Sequence, residues 1–169
     1  PAAAEAQQSI VPALQDAIQE VRTIAMDLRP PSLDDLGLLP TLEWFCREFQ
    51  QQHPDLRVER HIRLEERDIP SSLKIVLYRI VASVFADMAQ QENTERIQLA
   101  LWSDKRTLVL LIADTAADVA EETAIPLVGI DPSRPGFARM EALTTLSGGQ
   151  FRASRHAAGG TTVRARWSV

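Results

Sequence analysis

Between Glu5 and Leu28, the residues Val11, Leu14, Ile18, Val21, Ala25 and Leu28 recur at spacings of 3, 4, 3, 4 and 3. That repeat puts one apolar seam along an amphipathic helix. Ile10, Ala17 and Ile24 widen the seam into a stripe broad enough for a helix bundle. Pro12 belongs in a first helical turn, where proline costs least, so the helix is expected to begin near Ser9 or Val11. Arg29-Pro30-Pro31 stops it, and the arginine suits the negative end of the helix dipole. One amphipathic helix cannot bury its own stripe, so partner helices are expected from another chain or another segment.

Beyond the prolines the period changes several times. Ser32 is expected to cap a short turn that Gly37 breaks. Thr41 precedes a helix with Leu42, Phe45, Cys46 and Phe49 on one face, ended by His53-Pro54-Asp55. Residues 56–64 alternate as Leu56, Val58, Arg60, Ile62 and Leu64, the pattern of an edge strand with one polar face. Ser71 to Gln91 carries Leu73, Val76, Leu77, Ile80, Val81, Val84, Phe85 and Met88 at helical spacing, and Ile69-Pro70-Ser71 is its start signal. Ile97, Leu99 and Leu101 predict a strand, joined through a turn at Asp104-Lys105-Arg106 to a second at 108–112. Residues 119–135 read as a loop. A helix is expected from about Phe137 to Leu146, with a glycine stop at Ser147-Gly148-Gly149. Two strands, 151–154 and 162–167, close the chain. The part from Leu56 onward is therefore an α+β sandwich, a sheet with helices on one face, behind a coiled-coil arm of about 30 residues.

The chain has 169 residues, enough for one ordinary domain with an appended element. A net charge of −5 and a pI near 5.2 exclude a general nucleic-acid binder, which should be basic. A single cysteine, Cys46, excludes an internal disulfide and a cysteine zinc site, and its apolar setting LEWFCREF reads as core rather than nucleophile. No apolar run reaches the roughly 20 residues of a membrane span, and no signal peptide is expected in this stretch. The chain does not begin with Met and is expected to be a fragment or a processed product. One stretch stands out chemically: LVLLIADTAADV ends a strand on Asp114, then passes through small residues to Asp118.

The stretch EVRTIAMDLRPPSLDDLGLLPTLEWFCREF (20–49) resembles bacterial sensor histidine kinases of the group that signals to helix-turn-helix response regulators. DLRP-x-x-L-x-x-LGL-x-x-x-L looks like the end of their dimerisation helix and the connector after it. Leu77-Tyr78-Arg79-Ile80-Val81 matches the run that opens the first long helix of their ATP-binding domain, and Gly160-Thr161-Thr162-Val163 matches their closing G-T-x-V. The resemblance covers about residues 16–168. It implies the Hsp90/gyrase/histidine-kinase-like ATPase α/β sandwich, shared also with MutL, preceded by a coiled-coil dimerisation helix. It divides the chain into 1–31 (second helix of a dimerisation bundle), 32–55 (connector) and 56–169 (ATP-binding domain).

The chemistry implied by the resemblance is less complete than the scaffold. The family's acceptor histidine belongs to a bundle helix expected before residue 1; His53, His61 and His156 read as surface or structural, and no catalytic residue is assigned. In place of E-A-L-x-N, residues 83–87 read SVFAD, so Ser83 replaces the acid and Asp87 the asparagine. Asp87 is the one Mg²⁺ candidate, as a hard oxygen donor; equally, it is a solvated helix residue, and its charge opposes a triphosphate. In place of D-x-G-x-G, the adenine-reading acid is kept as Asp114, while Ala116 and Asp118 replace both glycines. If those positions need positive φ, each substitution costs about 1 kcal/mol. In place of G-L-x-G-M, Gly136 and Met140 are kept and Arg139 replaces the second glycine. Arg139 is expected to fill the space or pair with Asp114 or Asp118, although an arginine can also grip phosphate. The nucleotide-site positions carried over are thus Asp87, Asp114, Ala116, Asp118, Gly136, Arg139, Thr161 and Thr162.

Scaffold signals survive where ligand signals have changed. The expectation is a dimeric signalling scaffold or regulator in two-component signalling, with ATP binding impaired or absent and no cofactor. Its partners would be a second copy, a response regulator or a partner kinase, with no nucleic acid and no membrane contact by this segment. Its place would be cytoplasmic, including the cytoplasmic part of a membrane sensor. The alternative is a divergent active kinase that binds Mg-ATP, with Asp114 on adenine, Asp87 on Mg²⁺ and Arg139 on phosphate, and that phosphorylates a histidine upstream. A third reading is a cleft retuned to another small molecule.

Overall fold

The computed structural model describes residues 30–91, 94–114, 125–126, 135–155 and 160–169. The heptad stripe Val11, Leu14, Ile18, Val21, Ala25 and Leu28 lies outside them, as do Ala116, Asp118 and His156. The described elements are α1 (Pro31–Asp35), α2 (Leu38–Gln52), β1 (Arg57–Arg63), a 3-10 turn (Glu66–Asp68), α3 (Ser71–Ala89), β2 (Arg96–Asp104), β3 (Thr107–Asp114), β4 (Ile125–Pro126), α4 (Pro135–Leu146), β5 (Gly149–Arg155) and β6 (Thr161–Ser168).

The six strands form one sheet in the order β1-β2-β3-β6-β5-β4. Only β1 and β2 run parallel. Parallel neighbours need a crossover, and the long apolar helix α3 supplies it. β2 and β3 need only a tight turn. Lys105 (φ 44°) and Arg106 (φ 69°) both adopt positive φ there, which matches the twist of a two-residue hairpin loop. β1 is an edge strand, as its alternation predicts. Its Val58 N–H, turned away from β2, is taken by Gln50 Oε1 at 2.8 Å, so part of the open edge is satisfied by the end of α2.

Three sequence expectations change. α2 begins at Leu38, so Thr41 lies inside it and donates its hydroxyl to the Gly37 carbonyl at 2.7 Å. Ser32 does not cap α1; Pro30 holds that position, and Ser32 Oγ lies within hydrogen-bond distance of Thr41 Oγ1 at 3.2 Å, free to donate to it. The expected loop 119–135 includes β4, which pairs with β5, and ends where α4 starts at Pro135.

The main core lies between the sheet and helices α2, α3 and α4. Leu77, Ile80, Val81, Val84, Phe85 and Met88 of α3 are buried against Ile97, Leu99, Leu101, Leu108, Leu110 and Ile112 of the sheet. Residues 32–55, read from the sequence as a connector, place Leu33, Leu38, Leu42, Cys46 and Phe49 in the same core. Burial pushes the Cys46 thiol up to about 12, which fits a packing role and not that of a nucleophile.

β3 is a continuous apolar run because it is buried on both faces. On the face away from the main core, Ala100, Leu111 and Ala113 form a small second cluster with Trp102. Leu111 stands opposite Ala100 on β2 and Arg164 on β6. The Arg164 guanidinium lies 5.9 Å from the Trp102 ring centre, so an arginine–indole pair spans this patch. At the far end, Trp167 is buried and donates its indole N–H to Ser147 Oγ at 2.9 Å. That fastens the end of α4 to β6. Gly149 faces Trp167 across β5–β6, where a Cβ would overlap the indole and the Arg166 carbonyl.

Candidate functional site

The fold gathers residues that the sequence keeps far apart. Asp114 is the last residue of β3 and Thr161 the first of β6, separated by 47 positions. The Thr161 backbone N–H donates to Asp114 Oδ1 at 2.7 Å, and both residues are buried, 4% and 1% exposed. A carboxylate brought this far from water needs such a donor, and a charged acceptor makes the bond stronger than a neutral one. Thr162, the next residue, is half-buried opposite Ala113.

A second convergence joins two helices. Asp87 lies near the C-terminal end of α3 and Gly136 in the first turn of α4. The Asp87 carboxylate sits so close to Gly136 that a Cβ there would overlap Oδ2 and stand 3.1 Å from Cγ and Oδ1. Asp87 is half-buried, with its Oδ2 shut off from solvent. Arg139, one turn further along α4, is exposed. Among the described residues, no group of three or more His, Cys, Asp or Glu side chains is placed to hold a metal ion. None of the described helices is long and apolar enough to cross a membrane.

Of the eight positions carried over from the resemblance, four thus come together in two pairs, Asp114 with Thr161 and Asp87 with Gly136. No family model matches the chain. It is 31% identical over 111 residues to the sensor histidine kinase MctS of Rhizobium johnstonii, covering 63% of this chain and 23% of that protein. It is 30% identical over 102 residues to the signal transduction histidine-protein kinase/phosphatase DegS of Brevibacillus brevis, covering 60% of this chain and 26% of that protein. The solved Erythrobacter litoralis EL346 blue-light activated histidine kinase superposes with a TM-score of 0.63 at 14% identity, over 92% of this chain and 49% of that one.

The chain is a relative of the bacterial sensor histidine kinases. It spans about a quarter of the length of the curated relatives it matches (23% and 26%). Its mixed α/β sheet and helices are those of the histidine-kinase ATPase domain. Within that family frame, the acid before the first glycine box and the threonine of the closing G-T-x-V are neighbours, bonded through the Thr161 amide. The asparagine-box position and the start of the second glycine box are neighbours as well.

A residue that sequence reasoning overlooked is Glu66. Its two carboxylate oxygens accept from Leu38 N and Leu39 N, each at 2.8 Å, and Oε1 also pairs with Lys74 Nζ at 2.6 Å. Gly37, at φ +93° and with no room for a Cβ beside Glu66, lets the chain enter α2 under that carboxylate. One side chain therefore caps the LGL motif of the connector and ties it to the start of α3. Burial pushes the Glu66 carboxyl up, but the Leu39 amide, the Lys74 ammonium and the Leu38 amide together outweigh burial and hold it below its ordinary value.

Proposed function

We propose that this chain is the ATP-domain region of a sensor-kinase-like protein whose nucleotide binding is impaired or lost, and that it serves two-component signalling as a dimeric scaffold or regulator. The observation that carries this reading is the set of substitutions around Asp114, the carboxylate that reads adenine in the family resemblance and whose Oδ1 is held here by the Thr161 amide. Ala116, Asp118 and Arg139 stand where the resembled kinases have glycine, and Asp87 stands where they have asparagine. An extra carboxylate against the α4 turn opposes a polyphosphate. These residues do not make a good Mg-ATP site, and no step of phosphoryl transfer is assigned to them.

Dimerisation through Val11, Leu14, Ile18, Val21, Ala25 and Leu28 would let the chain present a helical bundle to a response regulator or a partner kinase. The names of its relatives support that setting, and a cytoplasmic location follows from it. The test uses the full-length protein incubated with γ-labelled ATP and Mg²⁺. No acid-labile phosphate is expected on it. A histidine-linked label that forms with saturable dependence on ATP would favour the divergent active kinase instead.

A further inference from the structure

The two faces of the sheet differ in charge. By strand alternation, the face turned away from α2, α3, α4 and Asp114 carries Arg57 and Arg63 of β1, Arg96 of β2, Arg152 of β5, and Arg164 and Arg166 of β6. The acids on that face, among the described residues, are Glu59 and, at the hairpin end, Asp104. The face is therefore basic in a chain that has 18 basic and 23 acidic residues. Glu59 lies 3.6 Å from Arg57 and 3.9 Å from Arg96, so it offsets charge at the β1 side only. Arg63, Arg152 and Arg166 are exposed, and none of them forms a salt bridge among the described residues. Arg152 also stands directly opposite Arg164, and like charges in that relation destabilise a strand pair. The fold keeps this repulsion where a neutral polar residue would relieve it.

The centre of the same face is apolar. Ala100, Leu111 and Ala113 are buried there beside Trp102, and among the described residues no helix side chain joins them. The two alanines keep the floor low next to Leu111, and the Arg164 guanidinium lies over the Trp102 ring. Tryptophan with arginine and no lysine is the composition of a protein–protein interface centre. We propose that this face docks a short acidic segment of a partner protein, with an apolar residue on Trp102 and Leu111 and carboxylates on the arginines around them. Guanidinium groups suit that role because they bind carboxylates through two parallel N–H bonds. Five paired strands at the usual spacing are roughly 20 Å across, a distance that about six extended residues span. Two observations favour a protein segment over nucleic acid. A polynucleotide would run past the patch onto surroundings of its own sign, since the chain carries a net −5. The Trp102 ring, on which a base would stack, is already occupied by Arg164. The proposal does not depend on the state of the nucleotide cleft, which lies on the other side of the sheet.

The test titrates the intact chain, at constant ionic strength, with an oligoglutamate of about ten residues carrying one central leucine, long enough to cross the face. The readouts are the indole N–H resonance of Trp102 and the backbone amides of Leu111 and Arg164. These should shift saturably, and an oligoglutamine with the same leucine should leave them in place. Combining Arg152→Glu with Arg166→Glu should raise the apparent Kd by roughly tenfold or more. Arg152→Glu alone puts an acid opposite Arg164, so this variant should melt no lower than wild type while binding the peptide more weakly. That split separates a docking role from a structural one. Absence of a Trp102 shift with oligoglutamate, or a folded double variant that binds as wild type does, overturns the proposal. A tighter response of the same resonances to oligothymidylate or to phosphatidylserine vesicles also overturns it, and makes the face a nucleic-acid or membrane surface instead.

Discussion

Replacing Phe85 with alanine is expected to cost about 3–5 kcal/mol of folding stability, the usual range for emptying a buried aromatic site. Phe85 has no exposed surface. Its ring meets Phe45 edge-on at 5.5 Å and Phe49 at 5.0 Å, and Phe45 in turn meets Tyr78 at 5.9 Å. These edge-to-face contacts add to the area term. They also decide where the energy acts, because Phe45 and Phe49 belong to α2 whereas Phe85 and Tyr78 belong to α3. The substitution should therefore loosen the connector helix from the ATPase-like domain as well as lower global stability. Thermal unfolding should shift down by roughly 6–20 °C for a domain of this size. Phe85→Leu, which keeps most of the volume, should lose clearly less. An alanine variant within about 1 kcal/mol of wild type would mean that this cluster is not packed as described.

Glu66→Ala is the second large effect, at about 2–3 kcal/mol. It removes two charge-assisted bonds to the first amides of α2 and the Lys74 pair, allowing for partial exposure of the site. Its pH dependence has a definite sign. The folded-state pKa of Glu66 lies below the ordinary value of 4.5. Its contribution is therefore fully present above about pH 4.5 and is lost as pH falls through the lower folded value. Wild type and Glu66→Ala should differ most in chemical denaturation near neutral pH and converge in acid. Glu66→Gln, which keeps an acceptor but not the charge, should fall between them. A gap that widens on acidification would contradict the assigned role.

What could be read from the sequence follows from where each determinant lies. The period of 3.6 in 71–91 and the period of 2 around Ile97, Leu99 and Leu101 are local signals, and both elements form where they predict. The start of α2 is misplaced by four residues because its cap is Glu66, 28 positions away from Leu38, and no local pattern announces it. The parallel pairing of β1 with β2 and the two-residue β4 depend on long-range neighbours, so alternation alone locates a strand without naming its partner. The site behaves the same way. Its residues are found by resemblance, but the bond from Thr161 to Asp114 and the packing of Asp87 on Gly136 exist only once the chain is folded.

The central claim is that the nucleotide site no longer binds Mg-ATP as a working kinase domain does. Isothermal calorimetry of the 169-residue chain with Mg-ATP tests it directly. No saturable heat is expected up to about 1 mM nucleotide, which corresponds to binding weaker than about −4 kcal/mol. Stoichiometric, saturable binding with a dissociation constant in the micromolar range would contradict it.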